Sequence, residues 1–167
     1  MSENYIVING KKAELTPEQL KALGLEREIK SPFERADKGS SYYHINKYGR
    51  VQTLTEGGSM DVVDKNLYKA ANYCTDKEMM EQRALHETLN RLLWRYSMEH
   101  DGNEIDATEP GWYKWIGYSI QEKRFKVYES CDVRCLGKIY FRTREIADNA
   151  IKEIVEPFMK EHPDFKL

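Results

Sequence analysis

Cysteine is scarce, with three residues in a chain of 167. An odd, low count excludes a disulfide framework and leads us to expect reduced, packed thiols. Cys131 and Cys135 are close in sequence, but Cys74 is distant and no histidine lies near the pair, so local spacing assembles no four-ligand zinc site. Long apolar runs are missing, since none approaches the roughly 20 residues a spanning helix needs. Met1-Ser2-Glu3-Asn4 has neither the basic start nor the apolar segment of a secretory leader. These absences lead to the expectation of a cytoplasmic protein with no membrane partner. An excess of one charge is lacking too. The 26 basic and 28 acidic residues give a net charge of −2, which excludes a general basic field for nucleic acid and the acidic excess of a DNA mimic.

Catalytic signatures are also missing. There is no G-x-S-x-G, P-loop, H-E-x-x-H or G-x-G-x-x-G, and Gly57-Gly58 lacks the Lys-Ser/Thr that completes a phosphate cradle. His44, His86, His100 and His162 show no metal-ligand spacing, and His100 beside Asp101 reads as a charge on a helix C-terminus. Glu104 and Asp106 read as a solvated loop pair. The expectation is a protein without catalytic residues, metal or cofactor, and so not an enzyme.

Against these absences stands one legible stretch, from Thr75 to His100. Thr75 as N-cap with Glu78 three residues on forms a capping box, and Gly102 supplies the stop. Leu85, Leu89, Leu92, Leu93 and Tyr96 recur at helical spacing and predict a core face. At about 100° per residue, Trp94 falls opposite this stripe, with Met80 and Met98 about 40° from it and Arg83, Glu87 and Arg91 close by. The helix therefore has a second apolar feature, which either another part of the chain covers or a partner does. Trp, Met and Arg are the types enriched at interface cores, so Arg83, Arg91, Trp94 and Met98 are the candidate partner-binding residues.

The rest of the chain predicts an α+β fold. Tyr5 to Ile8, Asn9-Gly10 and Lys11 to Leu15 predict a hairpin with a type I′ turn, followed by a short helix capped at Thr16 with Pro17 in its first turn. Residues 1–25 then form a small ββα head and 26–41 a charged, turn-rich linker. The body, 42–167, opens with a hairpin from Tyr42 to Ile45 and Arg50 to Thr55 around an Asn46 to Gly49 turn. Residues 56–66 read as a loop. After the long helix come an aromatic strand over 112–120, an antiparallel partner over 125–128, a third strand over 137–141, and a final helix capped by Thr143 that Pro157 limits or kinks. The tail 161–167 is expected to fray. Two ββ-then-helix units, 42–102 and 110–160, thus give antiparallel sheets, each unit placing an aromatic residue two positions before its Thr cap, which is either an internal pseudo-repeat or the common grammar of α+β proteins.

The aromatic strand suggests a competing function. Lys114, Lys123, Arg124 and Lys126 among Trp112, Tyr113, Trp115 and Tyr118 are candidate nucleic-acid contacts, since bases stack on aromatic sheet faces edged by cations. The aromatic residues do not keep one clean alternation, which fits a sheet covered on both faces better.

Several segments together carry a resemblance. They are Ile8-Asn9-Gly10-Lys11 with Leu15-Thr16-Pro17-Glu18-Gln19-Leu20, Tyr42-Tyr43-His44-Ile45, Ala71-Asn72-Tyr73-Cys74-Thr75, Glu81-Gln82-Arg83-Ala84-Leu85, Leu92-Leu93-Trp94-Arg95-Tyr96 and Gly137-Lys138-Ile139-Tyr140-Phe141. Over nearly its whole length the chain resembles a family of small accessory proteins encoded by phages and prophages of Firmicutes. The resemblance implies a bacterial host cell, a host or phage protein as partner, and an anti-CRISPR or other anti-defence role exercised on a CRISPR effector nuclease. It implies no site residues.

Overall fold

The computed structural model describes residues 5–8, 11–14, 31–57, 61–101, 112–131, 135 and 137–167. The chain divides into two compact units, Met1–Glu34 and Arg35–Leu167. In the first, β1 (Tyr5–Ile8) pairs antiparallel with β2 (Lys11–Glu14), Tyr5 opposite Glu14 and Ile8 opposite Lys11. The expected helix after Thr16, the stop at Gly102 and the pair Glu104 and Asp106 lie outside the described residues. The second unit begins earlier than the expected body. Arg35 to Ser40, placed in the linker by composition, are held on it: Ala36 N–H donates to the Tyr73 hydroxyl at 2.8 Å and Gly39 N–H to the Glu56 carbonyl at 2.9 Å.

The second unit is α+β, with antiparallel sheets from two ββ-then-helix units. β3 (Ser41–Ile45) and β4 (Val51–Thr55) form the first hairpin. Asn46 makes its turn, its side-chain oxygen accepting from Tyr48 N–H at 2.9 Å and Arg50 N–H at 3.0 Å, while Gly49 takes the left-handed φ of 80°. Tyr43, Ile45 and Val51 share the inner face and pack on Cys74, Met80 and Ala84. The stretch expected as a loop instead contains α1 (Asp61–Lys69), which covers the outer face of the hairpin. A bridge between Tyr43 and Cys74 then leads into α2 (Lys77–Asp101). Asn72 extends that pairing, its side-chain amide exchanging hydrogen bonds with the Ile45 backbone at 2.7 and 2.8 Å. The α2 cap is Asp76 rather than Thr75: its Oδ1 accepts from Met79 N–H at 3.0 Å, and its carbonyl takes the first helical bond, from Met80.

β5 (Trp112–Ser119), β6 (Arg124–Cys131) and the short β7 (Tyr140–Phe141) form the second sheet in the order β6-β5-β7. Ile116, Phe125, Val127 and Phe141 turn inward onto Leu89, Leu93 and Tyr96 of α2 and onto the final helix. That helix starts as α3 (Arg144–Ala150), where Thr143 caps by accepting from Ile146 N–H at 3.2 Å. It widens into a π-helical turn, Ile151–Val155, and ends as α4 (Glu156–Glu161). Pro157 has no N–H to return to the carbonyl four residues back, and Glu156 N–H reaches five residues back to Ile151. The insertion keeps Ile151, Val155 and Phe158 buried on both sides of the proline. The tail expected to fray is pinned to α2. Phe165 is buried, Lys166 N–H donates to the Gln82 side chain at 2.8 Å, and His86 Nε2 lies 2.8 Å from the Lys166 carbonyl.

Candidate partner-binding surface

α2 is 25 residues long and spans about 37 Å, too long for one neighbour to cover. Its two halves bury opposite sides. Met80 and Ala84 face the β3-β4 hairpin, whereas Leu89, Leu93 and Tyr96 face the second sheet and the final helix. Met80 and Leu89 are nine residues apart, about 180° round the helix. Met80, expected beside Trp94 in the partner stripe, is therefore core.

The hairpin runs along that stripe and stops at its turn. A Cβ on Gly49 would sit 2.7 Å from Arg91 Nη2 and 3.6 Å from Thr88 Oγ1, which marks where the turn meets the helix. Beyond Arg91 the stripe continues as Trp94 and Met98 with no hairpin over it. Trp94 is 59% exposed and Met98 36%. Among the described residues Trp94 has no stacked ring.

The four predicted partner residues thus separate into roles. Arg83 is committed to the fold: its Nε bonds Glu87 at 2.9 Å, and its Nη1 donates to the carbonyl of Ala71, a residue at a left-handed φ of 52°. It ties α2 to the turn after α1. Among the described residues Arg91 reaches only Thr88, at 3.2 Å, and with Trp94 and Met98 it forms one surface. Sequence reasoning missed Lys47, Tyr48 and Arg50, which flank Gly49 at this edge. Tyr48 is 75% exposed, and Lys47 Nζ lies 5.0 Å from its ring centre. A tyrosine at a hairpin tip has no core to enter, and that was the available signal.

The alternative set is brought together in part: Lys123, Arg124 and Lys126 gather at the β5-β6 turn, and Lys114 stands apart. The register places Lys114 on the inner face opposite Glu129, while Arg124 and Lys126 alternate onto the outer face. Lys114 turns back to the Trp112 carbonyl at 2.9 Å. Arg124 and Lys126 both bond Glu122, and the two bonds, Lys126 first, hold its carboxyl below the usual range. Lys123 sits in the turn at a φ of 52°. The outer face carries Trp115 stacked on Tyr128 with ring centres 4.8 Å apart, and Lys138 Nζ stands 3.2 Å from the centre of the Trp115 ring. Lys138 occupies a position a stacking base would need. A groove of about 590 Å³ runs between the β5-β6 turn and the final helix, lined by Tyr118, Lys123, Phe125, Ile151, Lys152 and Met159 among others. Of the cysteines, Cys74 is buried, and burial pushes its thiol up; Cys131 and Cys135 are exposed rather than packed.

One acidic cluster, Glu56, Asp61 and Asp64, has the proximity of a metal site. Its donors are already engaged. The two Asp64 oxygens accept from the Tyr42 hydroxyl at 2.6 Å and Gly57 N–H at 3.0 Å. Glu56 accepts from Tyr73 at 2.7 Å and from Arg35, which also pairs with Asp61 at 3.5 Å. Burial, then hydrogen bonding to Asp64, pushes the Tyr42 hydroxyl far up, and burial is the main cause that pushes Tyr73 up to about 12. With each oxygen of the two buried carboxylates accepting a hydrogen bond, the cluster locks α1 onto the hairpin.

Among the described residues no helix is long and apolar enough to cross a membrane. No protein-family model, no curated protein and no solved structure matches the chain.

Proposed function

We propose that this protein acts by binding another protein through the uncovered end of the second α2 stripe, with Trp94 as anchor and Met98, Arg91 and Tyr48 around it. The observation that carries this reading is the 59% exposure of Trp94 on a face whose other half is core. Large aromatic side chains are costly to leave in water. Burying the exposed part of this ring would contribute roughly 2–4 kcal/mol at an interface. Arg83 supports the surface from within the fold, through Glu87 and Ala71.

The partner class comes from the resemblance: a host or phage protein, with a CRISPR effector nuclease first, its inhibition following from occlusion. A tagged pull-down from bacterial lysate supplied with such effectors, after nuclease treatment, tests it with wild type beside Trp94→Ala. Trp94 is exposed, so the variant should keep its stability within about 0.5 kcal/mol while losing the partner. Retention of that partner by the folded variant sinks the reading. The nucleic-acid alternative now rests on the groove, which Lys123 and Arg124 both line, with Glu122 engaging Arg124 and Lys126. Recovery of nucleic acid alone, lost with Lys123→Glu, would favour it.

A further inference from the structure

Three cations lie at the hairpin end of the Trp94 surface. Lys47 and Arg50 flank Gly49, and Arg91 lies against it one helical turn before Trp94; among the described residues none of the three has a carboxylate partner. Two α2 carboxylates on either side of this surface are paired. Glu87 is held by Arg83 at 2.9 Å, and Glu99 lies 3.9 Å from Arg95. The chain as a whole carries a net charge of −2, so this cationic rim is a local arrangement and does not follow from composition.

Resting on the protein-binding reading, we infer that the surface docking here is acidic, a protein segment that offers a pocket or large apolar side chain to Trp94 and Met98 and carries Asp or Glu toward Lys47, Arg50 and Arg91. Exposed guanidinium and ammonium groups at an interface rim steer encounter and select register, and they repel basic partners. A nucleic acid is also a polyanion, yet it needs cations spaced along a strand. Here the three unpaired cations gather at one end of an apolar patch. Tyr48, with Lys47 over its ring, adds a face suited to an apolar neighbour of an acidic residue.

The test is selection from a display library of random peptides against the folded full chain, with parallel panning on Trp94→Ala and a fluorescent oligo-dT strand as a separate probe. We expect the peptides that require Trp94 to carry Asp or Glu around a large apolar residue. As synthetic peptides they should weaken with salt and lose about tenfold in affinity against Lys47→Glu/Arg50→Glu. Those two positions lie at an exposed turn and leave Trp94 in place, and circular dichroism confirms that the variant is folded. Peptides that need Trp94 but are neutral or basic, or that ignore the charge reversal, overturn the acidic partner and leave the binding surface standing. Peptides that bind Trp94→Ala equally well, recovery of none, or oligo-dT bound through Trp94 in their place, overturn both.

Discussion

The two ββ-then-helix units place the same residue types at matching points and use them differently. In each, a short segment ahead of the helix pairs with the first strand of the hairpin, Cys74 with Tyr43 and Phe141 with Lys114. The residue before each pairing point is a tyrosine on the outer face, giving Tyr42 with Tyr73 and Tyr113 with Tyr140. The first pair stacks at 4.1 Å, and the second meets at 66° with centres 5.7 Å apart. One hydroxyl of each pair accepts a backbone N–H, Tyr73 from Ala36 and Tyr140 from Cys135. The difference lies between the second strand and the pairing segment. The first unit inserts α1, whose Asp64 together with Glu56 seals the tyrosines under a network of buried hydrogen bonds. In the second, the described residues of that connection, 135 and 137–139, form no helix, and its outer face keeps Trp115 on Tyr128 beneath Lys138. One backbone plan thus yields a sealed polar lock or an aromatic surface, depending on what its connection brings.

The largest effect should come from breaking the lock. Asp64 is 1% exposed, and Asp64→Ala orphans the Tyr42 hydroxyl and Gly57 N–H, for an expected loss of about 2–5 kcal/mol in urea denaturation. Loss below about 1 kcal/mol would mean that α1 is dispensable to the first unit. In the second unit the counterpart is Gly117. A Cβ there would meet the Trp115 ring at 2.7 Å and the Tyr128 ring at 3.0 Å, so Gly117→Ala should cost about 1–3 kcal/mol and change tryptophan fluorescence. Unchanged fluorescence would show that the stack does not depend on the glycine.

Smaller effects compare the helix starts. Asp76→Ala and Thr143→Ala each remove one capping acceptor, and each should lower stability by about 1 kcal/mol. A cost confined to one of them would mark that helix as the one held by its cap. The last difference vanishes at neutral pH. Tyr73 has its folded pKa raised to about 12 from 10.0, so the folded chain keeps a proton that the unfolded chain loses. Its contribution is fully present below pH 10 and declines as pH rises toward 12. Denaturation midpoints should fall across that window, with tyrosinate absorbance lagging behind that of the unfolded chain; a flat profile would contradict the sealed environment.

Much of this architecture is legible in the residues. Asn46 to Gly49 has the turn chemistry of a hairpin, Thr143 caps where the pattern places a cap, and the leucines of α2 mark a core face. α1 escaped because its pattern is inverted. Val62 is 70% exposed and Val63 and Tyr68 also face out, while the residue it buries is Asp64. Apolar periodicity has no means of announcing a helix held by a carboxylate. The tail escaped for a related reason: Phe165 alone gives no period, and its anchors, Gln82 and His86, lie on a helix far away in sequence. By itself the sequence determined that α2 has two apolar stripes, because side-chain direction follows from 3.6 residues per turn. Which parts of the second stripe are core and which are surface was decided only in three dimensions, where the β3-β4 hairpin covers Met80 and Ala84, ends at Gly49 against Arg91, and leaves Trp94 in water.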